Sequence, residues 1–294
     1  MVLIKLLEVA LLVWRVPATC FPRRGGGALR PGLSGLCSLL LVSCASSDPK
    51  LLAERYDLRS VQVAGAPFQH QVFVNQQPGD LLHVYIEGDG RPWRTRNRIS
   101  QDPTPDKPLM LELMALDPAP GVYLGRPCYF GLPDAECSPL WWTQRRYSAQ
   151  VVQSLDRVLD RFAVGYRGLV LFGHSGGGTL AMLRAGRRAD VKAVVTLAGN
   201  LDIDAWAELH GYTPLEGSLN PARQPPLPGS IRQLHLVGER DTVIPAALLS
   251  GVLEGQPSAE MRVVAGANHV CCWQSLWPQL PTALSSDVAA PTGG

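Results

Sequence analysis

Charge is scarce in this chain, and what there is balances. Only 18% of the residues are charged. Five Lys/Arg and one acidic residue fall in the first 43 positions, so the remainder holds 22 basic and 24 acidic groups, a net charge of −2. A body without basic excess gives no electrostatic case for nucleic acid as a partner. The patterns of metal and nucleotide enzymes are missing too. There is no HExxH, no paired CxxC and no Walker-type loop, so neither a metal nor a cofactor is expected. No repeat recurs at a fixed period, which excludes a solenoid or propeller reading. What is present is a 46% hydrophobic composition over 294 residues. That suits a globular protein with a sizeable core, in one domain or two small ones.

The front end reads as a targeting segment. Arg23, Arg24 and Arg30 precede a mildly apolar stretch from Leu33 to Val42, and small residues and a cysteine follow. This is the charged, apolar, small-residue order of a secretory signal, and the stretch is too short to span a bilayer. Its end, Leu41-Val42-Ser43-Cys44, resembles the bacterial lipobox. The resemblance implies cleavage before Cys44, lipid on its thiol, and a membrane partner through that anchor. Ala45 follows instead of aspartate, which implies an outer-membrane lipoprotein facing the periplasm. The alternative is an ordinary secretory signal releasing a soluble periplasmic or secreted protein. Upstream, MVLIKLLEVALLVW is a second apolar segment interrupted by Glu8, and a start nearer Val16 is expected. The expected division is a targeting segment (1–43), a lipidated cysteine and linker (44–59), a catalytic domain (60–285) and a disordered tail (286–294).

Four cysteines follow Cys44: Cys128, Cys137, Cys271 and Cys272. Four allow three pairings, and the sequence does not choose among them. Cys128–Cys137 is the easiest to picture, closing a short loop that would gain about 2.5–3 kcal/mol on a chain-entropy account. Four free buried thiols are the alternative. Cys271-Cys272 are assigned a structural role.

From about residue 59 two patterns alternate. SVQVAG and QHQVFVNQ read as strands joined by a hairpin, and LLHVYIEGDG as a more apolar strand. PLMLELMAL has helical spacing, and GVYLGRP is strand-like. YSAQVVQSLDRVLDRFAV carries Val151, Val152, Leu155, Val158, Leu159 and Phe162 on one helical face. GLVLFGHS, KAVVTLAGN, RQLHLVGERD and EMRVVAGANH read as further strands, with helices at TLAMLRAGRR, IPAALLSGVL and WQSLWPQLPTAL. Val- and Leu-rich strands alternating with helices indicate an α/β fold, a mostly parallel central sheet covered on both faces. Ligands of such sheets bind beyond the carboxyl ends of the strands.

Three strand ends carry chemical groups. Gly173-His174-Ser175-Gly176-Gly177 matches G-x-S-x-G between a strand and a helix. A nucleophile must project from a sharp turn, and bulky neighbours would clash with it. Ser175 would sit at a helix amino end, with the Gly176 N–H placed for a developing oxyanion. A serine hydroxyl needs a base beside it. Asp241 ends HLVGERD and His269 ends RVVAGANH, giving the order Ser175, Asp241, His269 that this architecture uses.

On these residues the chain resembles the α/β-hydrolase-fold serine hydrolases, esterases and lipases among them, over residues 60 to 285 or so. The resemblance implies that Ser175 is the nucleophile, His269 the general base and then acid, and Asp241 the group that holds the imidazole tautomer. Asp202 is the alternative acid, with Asp204 beside it, because the family sometimes supplies its acid from the preceding strand. The second oxyanion donor usually follows the third strand in a His-Gly-X loop. Here the loop reads Glu87-Gly88-Asp89-Gly90, so the donor would be the backbone N–H of Asp89 or Gly90, with the Asp89 carboxylate turned away. The other histidines (His70, His83, His174, His210 and His235) are given no chemical role.

Such a set performs acyl transfer to water on a carboxylic ester, thioester or amide, with a small-molecule or lipid-like ester as partner. Between Ser175 and Asp241 there is room for a small lid at most, drawn from LDIDAWAELHGYTPLEGSLNPARQPPLPG. Trp93, Tyr129, Phe130, Trp141, Trp142 and Trp206 either line the pocket or pack. A peptidase of the same fold is the enzymatic alternative. A non-catalytic lipoprotein using the fold as a binding module is the other, supported by the Glu-Gly-Asp-Gly loop.

Overall fold

The computed structural model describes residues 48–289. The targeting segment, Cys44 and the last five positions lie outside them. A short helix α1 (Pro49–Tyr56) leads into ten strands and six further helices. The strands are β1 (Arg59–Ala64), β2 (Gln69–Val74), β3 (Leu81–Ile86), β4 (Trp93–Thr95), β5 (Arg98–Ile99), β6 (Gly121–Leu124), β7 (Gly168–His174), β8 (Val191–Leu197), β9 (Arg232–Gly238) and β10 (Ala259–Val264). The helices are α2 (Leu109–Ala115), α3 (Ala149–Phe162), α4 (Gly176–Ala185), α5 (Ile203–His210), α6 (Ala246–Leu253) and α7 (Gln279–Ala289).

Eight strands form one sheet in the order β1-β2-β6-β3-β7-β8-β9-β10, while β4 and β5 pair separately as a hairpin. From β6 to β10 every pairing is parallel; β2 runs antiparallel to both its neighbours. Every residue of β3 and of β7 is buried, because helices cover both faces of the sheet centre. α3 starts on Ser148, whose side chain accepts from the Val151 N–H, and it buries Val151, Val152, Leu155, Val158 and Leu159. α4 is buried at every position. Its one charged residue, Arg184, donates through Nε to Asp156 at 2.8 Å, while its buried Nη1 has no partner among the described residues.

Four boundaries differ from the sequence expectation. The linker at 44–59 contains α1, capped by the Asp48 carboxylate. The closing helix is broken: a 3₁₀ turn over Trp273–Leu276 stops before Pro278, and α7 restarts at Gln279, as a proline ring inside a helical pattern requires. α7 runs to Ala289, so helix occupies the first residues of the expected tail. The segment read as a possible lid contains α5, capped by Asp202 and closed by Gly211 in the left-handed region. Among the described residues no helix is long and apolar enough to cross a membrane, and no cluster of His, Cys, Asp and Glu could hold a metal ion.

Candidate active site

β7 delivers Ser175 from the middle of the sheet. Its backbone sits at φ 51°, ψ −118°, just before α4 begins. That strained turn is held by the carbonyl of Leu197, which accepts from the Ser175 N–H at 2.9 Å, and by the Ser175 carbonyl, which accepts from Gly178 and Asn200 at 2.9 and 3.0 Å. The flanking glycines are sterically required. A Cβ on Gly173 would lie 2.3 Å from the Gly177 carbonyl oxygen, and one on Gly177 would lie 2.1 Å from that of Ile86.

β9 and β10 supply the other two groups on the loops at their carboxyl ends. His269 Nε2 lies 3.0 Å from Ser175 Oγ, and His269 Nδ1 lies 2.9 Å from Asp241 Oδ2. Asp241 Oδ1 accepts from the backbone N–H of Val243 and Ile244 at 2.8 and 2.9 Å. Burial alone would raise the Asp241 pKa. The hydrogen bonds from His269 and Ile244 outweigh it and hold the carboxyl below its ordinary range. Asp202 is not brought to His269. Its carboxylate accepts from Asp204 N, Ala205 N and Asn220 Nδ2.

His174 has a role that the sequence did not reveal. Its Nε2 lies 2.7 Å from the His269 carbonyl oxygen. A carbonyl only accepts, so Nε2 carries the proton and ties the loop after β10 to the turn at Ser175. Burial, reinforced by repulsion from His269, lowers the His174 pKa to about 4, so the ring is neutral near pH 7. Trp273 Nε1 donates to the same carbonyl at 3.2 Å.

The loop after β3 was expected to keep the Asp89 carboxylate away from the elbow. Instead it stays close and is neutralised in place. A Cβ on Gly176 would lie 2.2 Å from Asp89 Oδ1 and 2.3 Å from the Tyr147 hydroxyl oxygen. Arg126 and Arg146 pair with the two carboxylate oxygens at 2.5 and 2.7 Å, and the Tyr147 hydroxyl lies 2.8 and 2.7 Å from them. Burial would raise the Asp89 pKa, but the charges of Arg146 and Arg126 pull it well below the usual carboxylate range. The Tyr129 hydroxyl donates to the Asp89 carbonyl at 2.8 Å. Among the described residues the backbone N–H groups of Asp89 and Gly176 have no acceptor. Gly90 needs its glycine: φ is +62°, and a Cβ would lie 2.1 Å from the Pro103 carbonyl oxygen. Glu87 is buried, which lifts its pKa to about 7 against hydrogen bonds from Met110 and Gly88.

Cys128 and Cys137 come together, their sulfurs bonded and their Cα atoms 5.5 Å apart. The loop they close carries Tyr129 and Phe130 into the core. The sulfurs of Cys271 and Cys272 are also joined, two residues past His269. Ser175 and His269 open into a cleft of about 1500 Å³. Trp93 and Trp206 line it. Tyr129, Phe130 and Trp142 are core residues, and Trp141 packs edge-on against Phe68.

No protein-family model and no curated protein matches the sequence. Solved structures do match the fold. A Butyrivibrio proteoclasticus protein with ferulic acid bound superposes at TM-score 0.59 with 11% identity, covering 77% of this chain and 98% of its own. The proline iminopeptidase of Mycobacterium smegmatis gives 0.57 and 12%, covering 78% and 97%. A Pyrococcus furiosus esterase gives 0.55 and 11%, covering 81% and 91%. At these identities the likeness is one of architecture, and it agrees with the sheet order and the strand–turn–helix at Ser175: this chain has the α/β-hydrolase fold.

Proposed function

We propose that the protein is a serine hydrolase that cleaves a carboxylic ester through an acyl-enzyme on Ser175. The continuous chain from Ser175 Oγ through His269 to Asp241, at 3.0 and 2.9 Å, carries this reading. Ser175 Oγ attacks the substrate carbonyl while its proton passes to His269 Nε2. The oxyanion is received by the N–H of Gly176 and that of Asp89. On collapse, His269 returns the proton to the leaving alcohol, and the acyl group stays on Ser175. Water then repeats the sequence: His269 takes its proton, the acid is released and Ser175 is regenerated. Asp241, locked by two backbone N–H groups, fixes the tautomer that places the Nε2 lone pair on the serine and stabilises the imidazolium. An oxyanion donor of this kind is worth about 3–4 kcal/mol in the transition state.

The cell envelope is the proposed location. The supporting observations are the leader with its Cys44 motif and the paired cysteines, which suit an oxidising compartment. A fluorophosphonate probe tests the chemistry. The expected outcome is a single adduct on Ser175, lost in Ser175→Ala and much slower in His269→Ala. A folded protein that takes no adduct would return the fold to a binding role. A panel of matched esters and peptides separates the ester reading from a peptidase.

A further inference from the structure

The lining of the Ser175 cleft is of two kinds. Trp206, Tyr212, Leu215 and Val243 contribute apolar surface; the β4–β5 hairpin and the segment after it contribute Arg91, Arg96 and Lys107. Every acid of the cleft is already engaged. Asp89 holds Arg126, Arg146 and Tyr147, and Asp106 pairs with Arg91. Glu112 accepts from the Tyr56 hydroxyl and the Gln274 side chain, and Glu87 from the N–H groups of Gly88 and Met110. The cations are not all engaged. Arg96 and Lys107 have no partner among the described residues.

The floor carries the same imbalance in a buried place. Arg146 is only 6% exposed and lines the cleft. Its Nε donates to the Thr143 carbonyl at 2.5 Å and its Nη1 to Asp89 at 2.7 Å. Its Nη2 takes no partner among the described residues. Arg126 and Arg146 together set two guanidinium groups against the single Asp89 carboxylate. Arg146 Nη2 is thus a free donor in the cleft, and a planar guanidinium edge is suited to an oxyanion.

We propose that Arg146 Nη2, with Arg96 and Lys107 of the lining, forms an anion subsite, so that the ester hydrolysed here carries a carboxylate or phosphate group beside an apolar part. The inference rests on the hydrolase reading for its substrate but not for its binding, and two kinds of measurement separate them. In the first, kcat/KM is compared for para-nitrophenyl pentanoate and mono-para-nitrophenyl glutarate, which differ by a methyl against a carboxylate. The glutarate ester is expected to be preferred by about tenfold or more, as one charge-assisted hydrogen bond allows. The preference should shrink as salt screens the lining charges. Lys107→Gln and Arg96→Gln should each lower it by about two- to fivefold, and Arg167→Gln, at the opposite ends of the strands, should not move it. In the second, glutarate and inorganic phosphate are titrated calorimetrically into the Ser175→Ala protein, where no turnover occurs. Binding of either supports the subsite, and the stronger of the two names its anion.

Equal kcat/KM on the two esters, or rim variants that depress both alike, would overturn the proposal, as would the absence of binding by both anions. If Ser175 takes the fluorophosphonate while the enzyme ignores the carboxylate, the subsite fails and the hydrolase stands. If Ser175 takes no adduct while glutarate binds Ser175→Ala, the hydrolase reading fails and the anion site stands.

Discussion

Replacing Asp89 by asparagine removes one negative charge and changes little else, because the two side chains have the same shape. Among the described residues the carboxylate is the only counter-charge paired with Arg126 and Arg146, whose side chains are 1% and 7% exposed. Removing one partner of a buried ion pair costs about 3–5 kcal/mol, since the remaining charge stays buried. Asparagine still accepts one or two hydrogen bonds, so the lower end, about 3 kcal/mol, is expected. For a domain of this size that lowers Tm by about 6–12 °C. The pH dependence has a definite sign. The Asp89 pKa is depressed in the folded state, so its contribution is complete above the unfolded value, near pH 4, and is lost as pH falls through the lower folded value. The difference between wild type and Asp89→Asn, measured by urea denaturation, should therefore stay constant from pH 8 to pH 5 and close only in stronger acid. Ser175 labelling should also slow, because the same carboxylate fixes the loop whose N–H is proposed to meet the oxyanion. A loss under about 1 kcal/mol at pH 7 would refute the idea that two buried guanidinium groups depend on this carboxylate. So would a difference that already shrinks between pH 8 and pH 6.

The remaining predictions concern the histidines and the glycines. His70, His174 and His235 are each lowered by burial to about pKa 4, so the unfolded chain binds up to three more protons between pH 6.5 and 4, and stability is lost as pH is lowered through that range. Glu87, raised to about 7, works against them. The folded protein holds its proton where the unfolded chain has lost it, a contribution present below the unfolded value and lost as pH rises through 7. Urea midpoints at pH 7, 6 and 5 should fall steadily; a flat profile would contradict the buried, neutral histidines. His174→Phe removes the hydrogen bond to the His269 carbonyl and should slow fluorophosphonate labelling of Ser175 by about tenfold, the worth of one buried hydrogen bond, read by intact mass against time. Gly176→Ala should abolish labelling, since its Cβ would overlap Asp89 and Tyr147, whereas Gly251→Ala, whose Cβ meets nothing within 4 Å in α6, should stabilise by about 0.5–1 kcal/mol.

What the sequence discloses about this protein is what local pattern can encode. Ser175, Asp241 and His269 are visible because each follows an apolar run, and parallel strands bring their carboxyl ends to one edge whatever the loops contain. The sheet is visible for the same reason: apart from His83 and His174, β3 and β7 carry no polar side chain but a tyrosine's hydroxyl, as suits strands buried on both faces. α5 was legible in principle, since Asp202 and Gly211 are ordinary cap residues around IDAWAELH, but the prolines that follow masked it. The hairpin of β4 and β5 is too short to show a period. The clamp on Asp89 is of another kind. Arg126 lies 37 positions from Asp89 and Arg146 lies 57, on separate loops without periodic pattern, and nothing local distinguishes them from the chain's other arginines. Electrostatics predicts from the sequence that a carboxylate beside a developing oxyanion must be dealt with, and retreat is the simplest solution. The fold takes a different one. It leaves the carboxylate against the elbow and surrounds it with two guanidinium groups and a phenol, so that the local charge becomes positive. An acidic residue in the loop after β3 therefore does not argue against the proposed chemistry; with Arg126 and Arg146 paired to it, the loop carries a field of the sign that the proposed oxyanion would need.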